Sequence, residues 1–142
     1  MAQLLQNINK LEFIETRYLS NIVLLGNSQV SLQYWRNFNE LCLVGLADVE
    51  VRDEIDNGSR LKAIKLTART AEDFNVSNRR LAWRVTTVQG DRFLIGINER
   101  PYPVTTIVDN FPGKATERSG KTIIVTWNTP LNFLRIVGKE DD

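Results

Sequence analysis

Residues 48–67 decide the fold class, and they read Asp48-Val49-Glu50-Val51-Arg52-Asp53-Glu54-Ile55-Asp56-Asn57-Gly58-Ser59-Arg60-Leu61-Lys62-Ala63-Ile64-Lys65-Leu66-Thr67. Apolar and charged residues alternate on both sides of Asn57-Gly58, as in strands with one face on a core and one in water. An Asn-Gly pair readily adopts the positive φ angles of a two-residue hairpin turn. The segment therefore predicts a β-hairpin with one buried and one charged face.

The rest of the chain repeats this texture. A second hairpin is predicted from Leu81 to Asn98 around the turn Gln89-Gly90-Asp91, and Pro101-Tyr102-Pro103 then ends the ladder. The other predicted strands lie within 11–18, 21–25, 104–108, 122–127 and 131–137, with a polar loop over 110–121. Seven or eight short, mostly antiparallel strands indicate a β-dominated fold, either a sandwich or a partly open barrel.

One segment has a helical period. Between Asn27 and Cys42 the apolar residues recur at three- and four-residue steps, and Asn27 or Ser28 suits the N-cap position. We therefore expect one helix, at about residues 28–41, with its aromatic stripe in the core. The expected core residues are Leu32, Trp35, Phe38, Leu43, Val51, Leu66, Trp83, Val85, Phe93, Ile95, Ile124 and Trp127.

The length of 142 residues suits a single domain, residues 1–142, with distinctive ends. In residues 1–10 the apolar side chains fall at helical spacing, which leaves open a short amphipathic helix or an extended N-terminal arm. Residues 138–142 form an acidic tail that closes on Glu140-Asp141-Asp142. The N-terminal segment lacks a basic region followed by a long apolar run, so we expect no signal peptide and no membrane partner.

The composition excludes several chemistries. The chain contains no His and a single Cys42, which rules out Ser-His and Cys-His mechanisms, a Cys/His zinc cluster and an internal disulfide. Gly120-Lys121-Thr122 matches the end of a phosphate-binding loop, but Ala115 stands where its first glycine is required, and a strand follows. We therefore expect no catalytic site, no cofactor and no bound metal.

The charge is unevenly distributed, and an arginine cluster stands out. Residues 1–58 carry a net charge of −4 and residues 59–142 a net charge of +5. Arginines interleaved with Trp83 and Phe93 are typical of sheets that bind single-stranded nucleic acid. The register that buries Val85 and Ile95 also buries both rings, however, and leaves the arginines outside. The candidate nucleic-acid or partner contacts are Arg79, Arg80, Arg84 and Arg92.

The second half also combines short strands and a long polar loop with breaks at Arg100-Pro101-Tyr102-Pro103 and Asn128-Thr129-Pro130. Over residues 40–137 the chain resembles, in this texture, the small β-rich structural proteins of the neck and tail of tailed bacteriophages and prophages. The resemblance implies a sandwich or barrel with one helix, loops and an N-terminal arm that become ordered against neighbouring copies in a ring, and no catalysis. It provides no motif from which residue roles carry over.

Two functions remain open. The first is a non-catalytic structural subunit of a virion neck or tail, found in the virion or the host cytoplasm, which forms a homo-oligomeric ring and docks to other assembly proteins. Patches of opposite charge suit the head-to-tail contacts of such a ring. The alternative is a β-barrel module that binds single-stranded nucleic acid through the arginine hairpin. The candidate assembly contacts are Leu4, Leu5, Ile8, Lys114, Arg118 and Lys121.

Overall fold

A computed structural model describes residues 3–19, 22–26, 29–32, 38–56, 58–71, 80–110, 120–131 and 133–137. The strands are β1 (Gln3–Glu15), β2 (Ile22–Leu25), β3 (Gln29–Leu32), β4 (Asn39–Leu41), β5 (Ala47–Asp56), β6 (Ser59–Thr70), β7 (Leu81–Thr87), β8 (Arg92–Ile95), β9 (Val104–Asn110), β10 (Gly120–Thr129) and β11 (Leu134–Ile136). A single-turn 3-10 helix, Thr16–Leu19, follows β1. The fold is thus β-dominated, as predicted.

All the strands belong to one sheet, which curls into an open half-barrel. Its order is β2-β3-β11-β8-β7-β1-β5-β6-β10-β9, and every pairing is antiparallel except that of β3 with β11. The strand β1 lies in the middle. One of its edges pairs with β7, and the other pairs first with β5 and then with the short β4.

Both predicted hairpins are confirmed. In the first, β5 and β6 pair from Asp48 opposite Thr67 to Asp56 opposite Ser59, and Gly58 in the turn has a φ of 81°. This left-handed backbone conformation favours glycine, because a Cβ strains it. Asn57 itself lies outside the described residues. In the second hairpin, β7 and β8 pair with Trp83 opposite Ile95.

The buried apolar side chains form one core cluster. Among the expected core residues, Val51, Leu66, Trp83, Val85, Ile95 and Trp127 are buried, and Phe38, Leu43 and Phe93 are partly buried against them. The prediction that Ile124 belongs to the core is wrong. The inward-facing residues of this strand are Ile123, Val125 and Trp127, so Ile124 lies on the opposite face. Trp35 and the side chain of Leu32 fall outside the description.

The predicted helix over residues 28–41 is wrong wherever the chain is described. Residues 29–32 form β3, which pairs with β2 and β11, and residues 39–41 form β4, which pairs with β1. The helical reading of residues 1–10 is also wrong, and so is the extended arm, because residues 3–10 belong to the middle strand β1. Sheet pairing therefore overrides the apparent helical spacing in both segments.

A hydrogen bond spans the interior of the curl. The indole Nε1 of Trp83 in β7 donates to the hydroxyl of Thr105 in β9 at 3.3 Å. The indole Nε1 of Trp127 donates to the carbonyl oxygen of Pro101 at 2.9 Å, which ties β10 to the segment that leads into β9. These two hydrogen bonds hold β9, the strand at one end of the sheet, close to β7 near the middle of the sheet.

Among the described residues there is no helix with the length and apolar character needed to cross a membrane.

Candidate functional site

The hairpin of β5 and β6 extends past its neighbours. On one side, β1 pairs with β5 only as far as Val51, and on the other side β10 pairs with β6 only as far as Lys62. Among the described strands, residues 52–61 therefore pair only within the β5–β6 hairpin. We call this two-stranded extension the arm.

The arm continues the alternation of the core strands without a core to cover it. Ile55 has the inward phase of Val49 and Val51, yet 75% of its surface is exposed, the largest fraction of any described large apolar residue. Asp53 shares this phase, and its Oδ1 lies 2.5 Å from Nζ of Lys62 on the opposite strand. The arm therefore presents an uncovered apolar side chain beside a partly exposed ion pair.

A shallow groove of about 280 Å³ lies at the base of the arm, on the outer face of β5, β6 and β10. The groove carries both signs of charge, since Arg52 pairs with Glu50 on the same strand and Lys65 lies opposite Glu50 on the next. Its remaining polar lining includes Glu54, Thr126 and Asn128. Such mixed charge does not select a polyanion, but it suits the polar surface of another protein.

On the outer face, the surface of β5 and β6 is charged, and its acidic and basic side chains lie on neighbouring strands. The outer surface of β9 and β10 presents β-branched side chains without charge. By register these are Val104, Thr106, Val108, Thr122, Ile124 and Thr126.

Arg84 is committed to an ion pair in the middle of the sheet. Its Nε donates to Oε1 of Glu12 at 3.0 Å and its Nη2 donates to Oε2 at 2.6 Å, a two-point contact between directly opposed residues of β7 and β1. The guanidinium carbon also lies 4.1 Å from the ring centroid of Phe38. Only 13% of the Arg84 side chain is exposed, so Arg84 is corrected as a nucleic-acid or partner contact.

The other predicted arginines are held in different ways. Arg80 is exposed, and its guanidinium lies 4.5 Å from the ring centroid of Tyr102. Arg92 is half-buried in β8. Arg79 lies outside the described residues. Of the four predicted contacts, Arg84 is held in an ion pair within the sheet. Arg80 is the most accessible of those that the structure describes.

The aromatic residues of the second hairpin face inward, as their phase predicts. Trp83 is fully buried, with the Phe13 ring 5.7 Å away, centroid to centroid. Phe93 is half-buried and stacks on Phe133 at 4.4 Å with nearly parallel planes. Base stacking requires an exposed ring face, so Trp83 offers no platform for a nucleobase.

The predicted assembly contacts are also separated by the structure. Ile8 is corrected, because β1 buries it completely in the core. Leu4 lies on the same strand and remains exposed, and for Leu5 the structure gives only its backbone pairing with Val49. Lys121 is half-buried in β10. Lys114, Arg118 and the acidic tail 138–142 fall outside the described part of the chain.

Sequence reasoning missed the arm as a separate feature, although the hairpin itself was predicted. A signal is present in the sequence. Asp53 and Lys62 occupy positions of the core phase, and charged residues at such positions indicate that the core has ended.

Comparisons of the chain with protein-family models, with curated proteins and with solved structures give no match.

Proposed function

We propose that the chain is a non-catalytic structural subunit that associates with further copies of itself and with other assembly proteins, in a virion neck or tail. The observation that carries the proposal is the arm, with Ile55 exposed near its end. A two-stranded ribbon is only marginally stable in water without a third strand or a covering element. A docked neighbour would provide that cover, and the subunit would reside in the virion or, before assembly, in the host cytoplasm.

The base of the arm supports the same interpretation. The groove beside the arm contains acidic, basic and neutral polar groups close together. The groups of a protein surface can therefore both donate hydrogen bonds to the groove and accept them from it. The exposed Ile55 supplies apolar area at the other end of the arm. An apolar anchor with a polar surround is the usual composition of a protein–protein contact.

The arginine hairpin gives less support to the nucleic-acid alternative. Single-strand binding by a sheet combines free cationic groups with exposed aromatic faces. Here Arg84 is neutralised by Glu12, and Trp83 is enclosed by the core. Of the other predicted contacts that the structure describes, Arg80 is exposed and Arg92 is half-buried, and so few cations provide only a weak, non-specific attraction to phosphates.

The native mass in solution tests this proposal. Light scattering over a range of concentrations should give particles several-fold heavier than the 16.3 kDa chain. Ile55→Asp should lower the particle mass, because it places a charge where the arm needs apolar contact. Val88→Asp is the matched control: Val88 is also exposed, but it lies in the turn between β7 and β8.

Two results contradict the proposal. One is a protein that stays monomeric at every concentration and binds a short single strand in a salt-sensitive manner, which would establish the nucleic-acid alternative. The other is an equal loss of mass in the Ile55 and Val88 variants, since the arm would then have no special part in assembly.

A further inference from the structure

The strand β9 lies at one end of the sheet, and its residues 104–108 carry no charge. Among the described residues, the backbone of Val104–Asn110 pairs with β10 alone. Its first five residues are Val104-Thr105-Thr106-Ile107-Val108, all of them β-branched. Val104, Thr106 and Val108 are exposed on the outer face, and Thr105 and Ile107 are half-buried on the inner one.

Such an edge is unusual in a protein that stays separate from its neighbours. Edge strands expose a row of unpaired N–H and C=O groups, and proteins normally block pairing there with Lys, Pro, a bulge or a very short strand. The ladder between β9 and β10 is regular over seven residue pairs, and residues 104–108 contain neither a charge nor a proline. The edge is therefore a ready template for one more strand.

The sequence of the edge suits a second copy of itself. If two β9 strands pair antiparallel about Thr106, Val104 lies opposite Val108, Thr105 lies opposite Ile107, and Thr106 lies opposite its own copy. Over residues 104–108 every pair is then β-branched and uncharged, and both halves of the pairing are identical. A two-fold interface requires this kind of self-complementarity, and β-branched cross-strand pairs are favourable.

The neighbouring strand extends the match. On the outer face, Ile124 of β10 lies opposite Thr106, and Thr122 lies opposite Val108, so the surface beside the edge is also uncharged. The charged surface begins one strand further, at Lys65 and Arg69 of β6. The arm lies beyond the end of the β6–β10 ladder, and β10 lies between β6 and β9.

We propose that two copies of the chain join their β9 edges antiparallel about Thr106, which makes one continuous sheet across a two-fold dimer. The inference rests on the proposed function in so far as the chain associates with itself, but it assigns the contact to a surface separate from the arm.

The test is sedimentation of the full chain with two lysine variants. Thr106→Lys brings two like charges together at the two-fold axis and should raise the dimer dissociation constant at least about tenfold. Asn98→Lys is the matched control, since Asn98 is exposed in the segment between β8 and β9 and lies outside both the β9 ladder and the groove beside the arm. It should leave the dissociation constant unchanged. Far-UV circular dichroism should show the same strand content in both variants.

Hydrogen exchange provides the second measurement. Amides of β9 that point away from β10 should become protected as the concentration rises through the dissociation constant, while those of the interior strand β10 should be protected throughout. Amides of β9 protected equally at all concentrations in a monomer would mean that the chain covers its own edge, which would overturn the inference. So would an oligomer unaffected by Thr106→Lys.

The two proposals fail separately. Loss of large particles in Ile55→Asp with the dimer retained supports both. A dimer that is insensitive to Thr106→Lys but is broken by Ile55→Asp overturns the β9 contact and leaves the proposed function standing. If Ile55→Asp leaves every particle unchanged while Thr106→Lys dissociates the dimer, the β9 contact stands and the arm loses its role in assembly.

Discussion

Two ion pairs in this sheet have the same cross-strand geometry and very different surroundings. Glu12 and Arg84 face each other on β1 and β7, and Asp53 and Lys62 face each other in the ladder of β5 and β6 at the base of the arm. The first pair is 8% and 13% exposed, and the second is 44% and 29% exposed. The pairing chemistry is similar, so the difference lies in the amount of sheet that surrounds each pair. The middle of the sheet encloses its charged pair, whereas the base of the arm leaves its pair partly exposed.

The same contrast separates Trp83 from Ile55. Both have the inward phase of their strands, but Trp83 is enclosed by the curl and Ile55 extends beyond it. Phase alone therefore does not determine burial. A strand must also be flanked by neighbours whose side chains close the space above it, and the arm lacks those neighbours among the described residues.

The strongest test of this contrast is Trp83→Ala. Removing a fully buried indole leaves a cavity and breaks the hydrogen bond to Thr105, so we expect a loss of about 3–5 kcal/mol in the free energy of unfolding. Urea unfolding followed by circular dichroism measures it. A variant of unchanged stability would show that the middle of the sheet tolerates a void as readily as its periphery.

Glu12→Gln should have the next largest effect. The substitution keeps the shape but leaves the Arg84 guanidinium without its counter-charge in a largely buried site, which should cost about 3 kcal/mol. The double variant Glu12→Leu/Arg84→Met removes both charges and should recover most of that loss, because an apolar pair of similar volume has nothing to desolvate. No recovery would mean that the pair contributes more than mutual neutralisation.

Gly58→Val tests the turn of the arm. A β-branched residue is strained at a φ of 81°, so we expect a loss of about 1–3 kcal/mol in the free energy of unfolding. Gly58→Asn is the control, since Asn tolerates the left-handed conformation better than other non-glycine residues. If both variants have the same free energy of unfolding as the unaltered protein, the arm opens on its own before the rest of the sheet.

The smallest effect should come from Lys62→Ala. Exposed ion pairs contribute about 0.2–1 kcal/mol, and 1 M salt should abolish the difference between Lys62→Ala and the unaltered protein. A loss equal to that of Glu12→Gln would erase the distinction between the two pairs and would indicate that the arm is covered in solution.

Local turn chemistry explains which parts of this fold were predictable. The hairpins around Gly58 and Gly90 follow from residues adjacent in sequence, because the turn itself sets the pairing. The middle strand β1 was misread, since register shifts between Leu5 and Ile8 and between Ile8 and Lys10 interrupt its alternation. Ile8 and Leu11 are both fully buried three residues apart, and that spacing imitates a helix.

The candidate functional sites were also predictable only where they depend on residues adjacent in the sequence. The alternation of residues along a strand predicts which face a side chain is on, and it correctly places Trp83 inside. It does not predict the order of the strands, which determines the contacts between side chains. Arg84 and Glu12 are 72 residues apart in the sequence. No local pattern therefore distinguishes Arg84 from an arginine that binds phosphate. The projection of the arm likewise depends on where β1 and β10 stop, and those ends belong to other parts of the chain.

The middle position of β1 has a consequence for synthesis. This strand leaves the ribosome before β4, β5 and β7, the strands that hold it. At about 5–20 residues per second, the stretch from Glu15 to Thr87 takes roughly 4–14 s to translate, and during that time β1 has no complete set of pairing partners. The nascent chain therefore presents β1 to holding chaperones and to other nascent chains on the same messenger. Slow translation between β5 and β7 would prolong that exposure, and rapid delivery of β7 would end it.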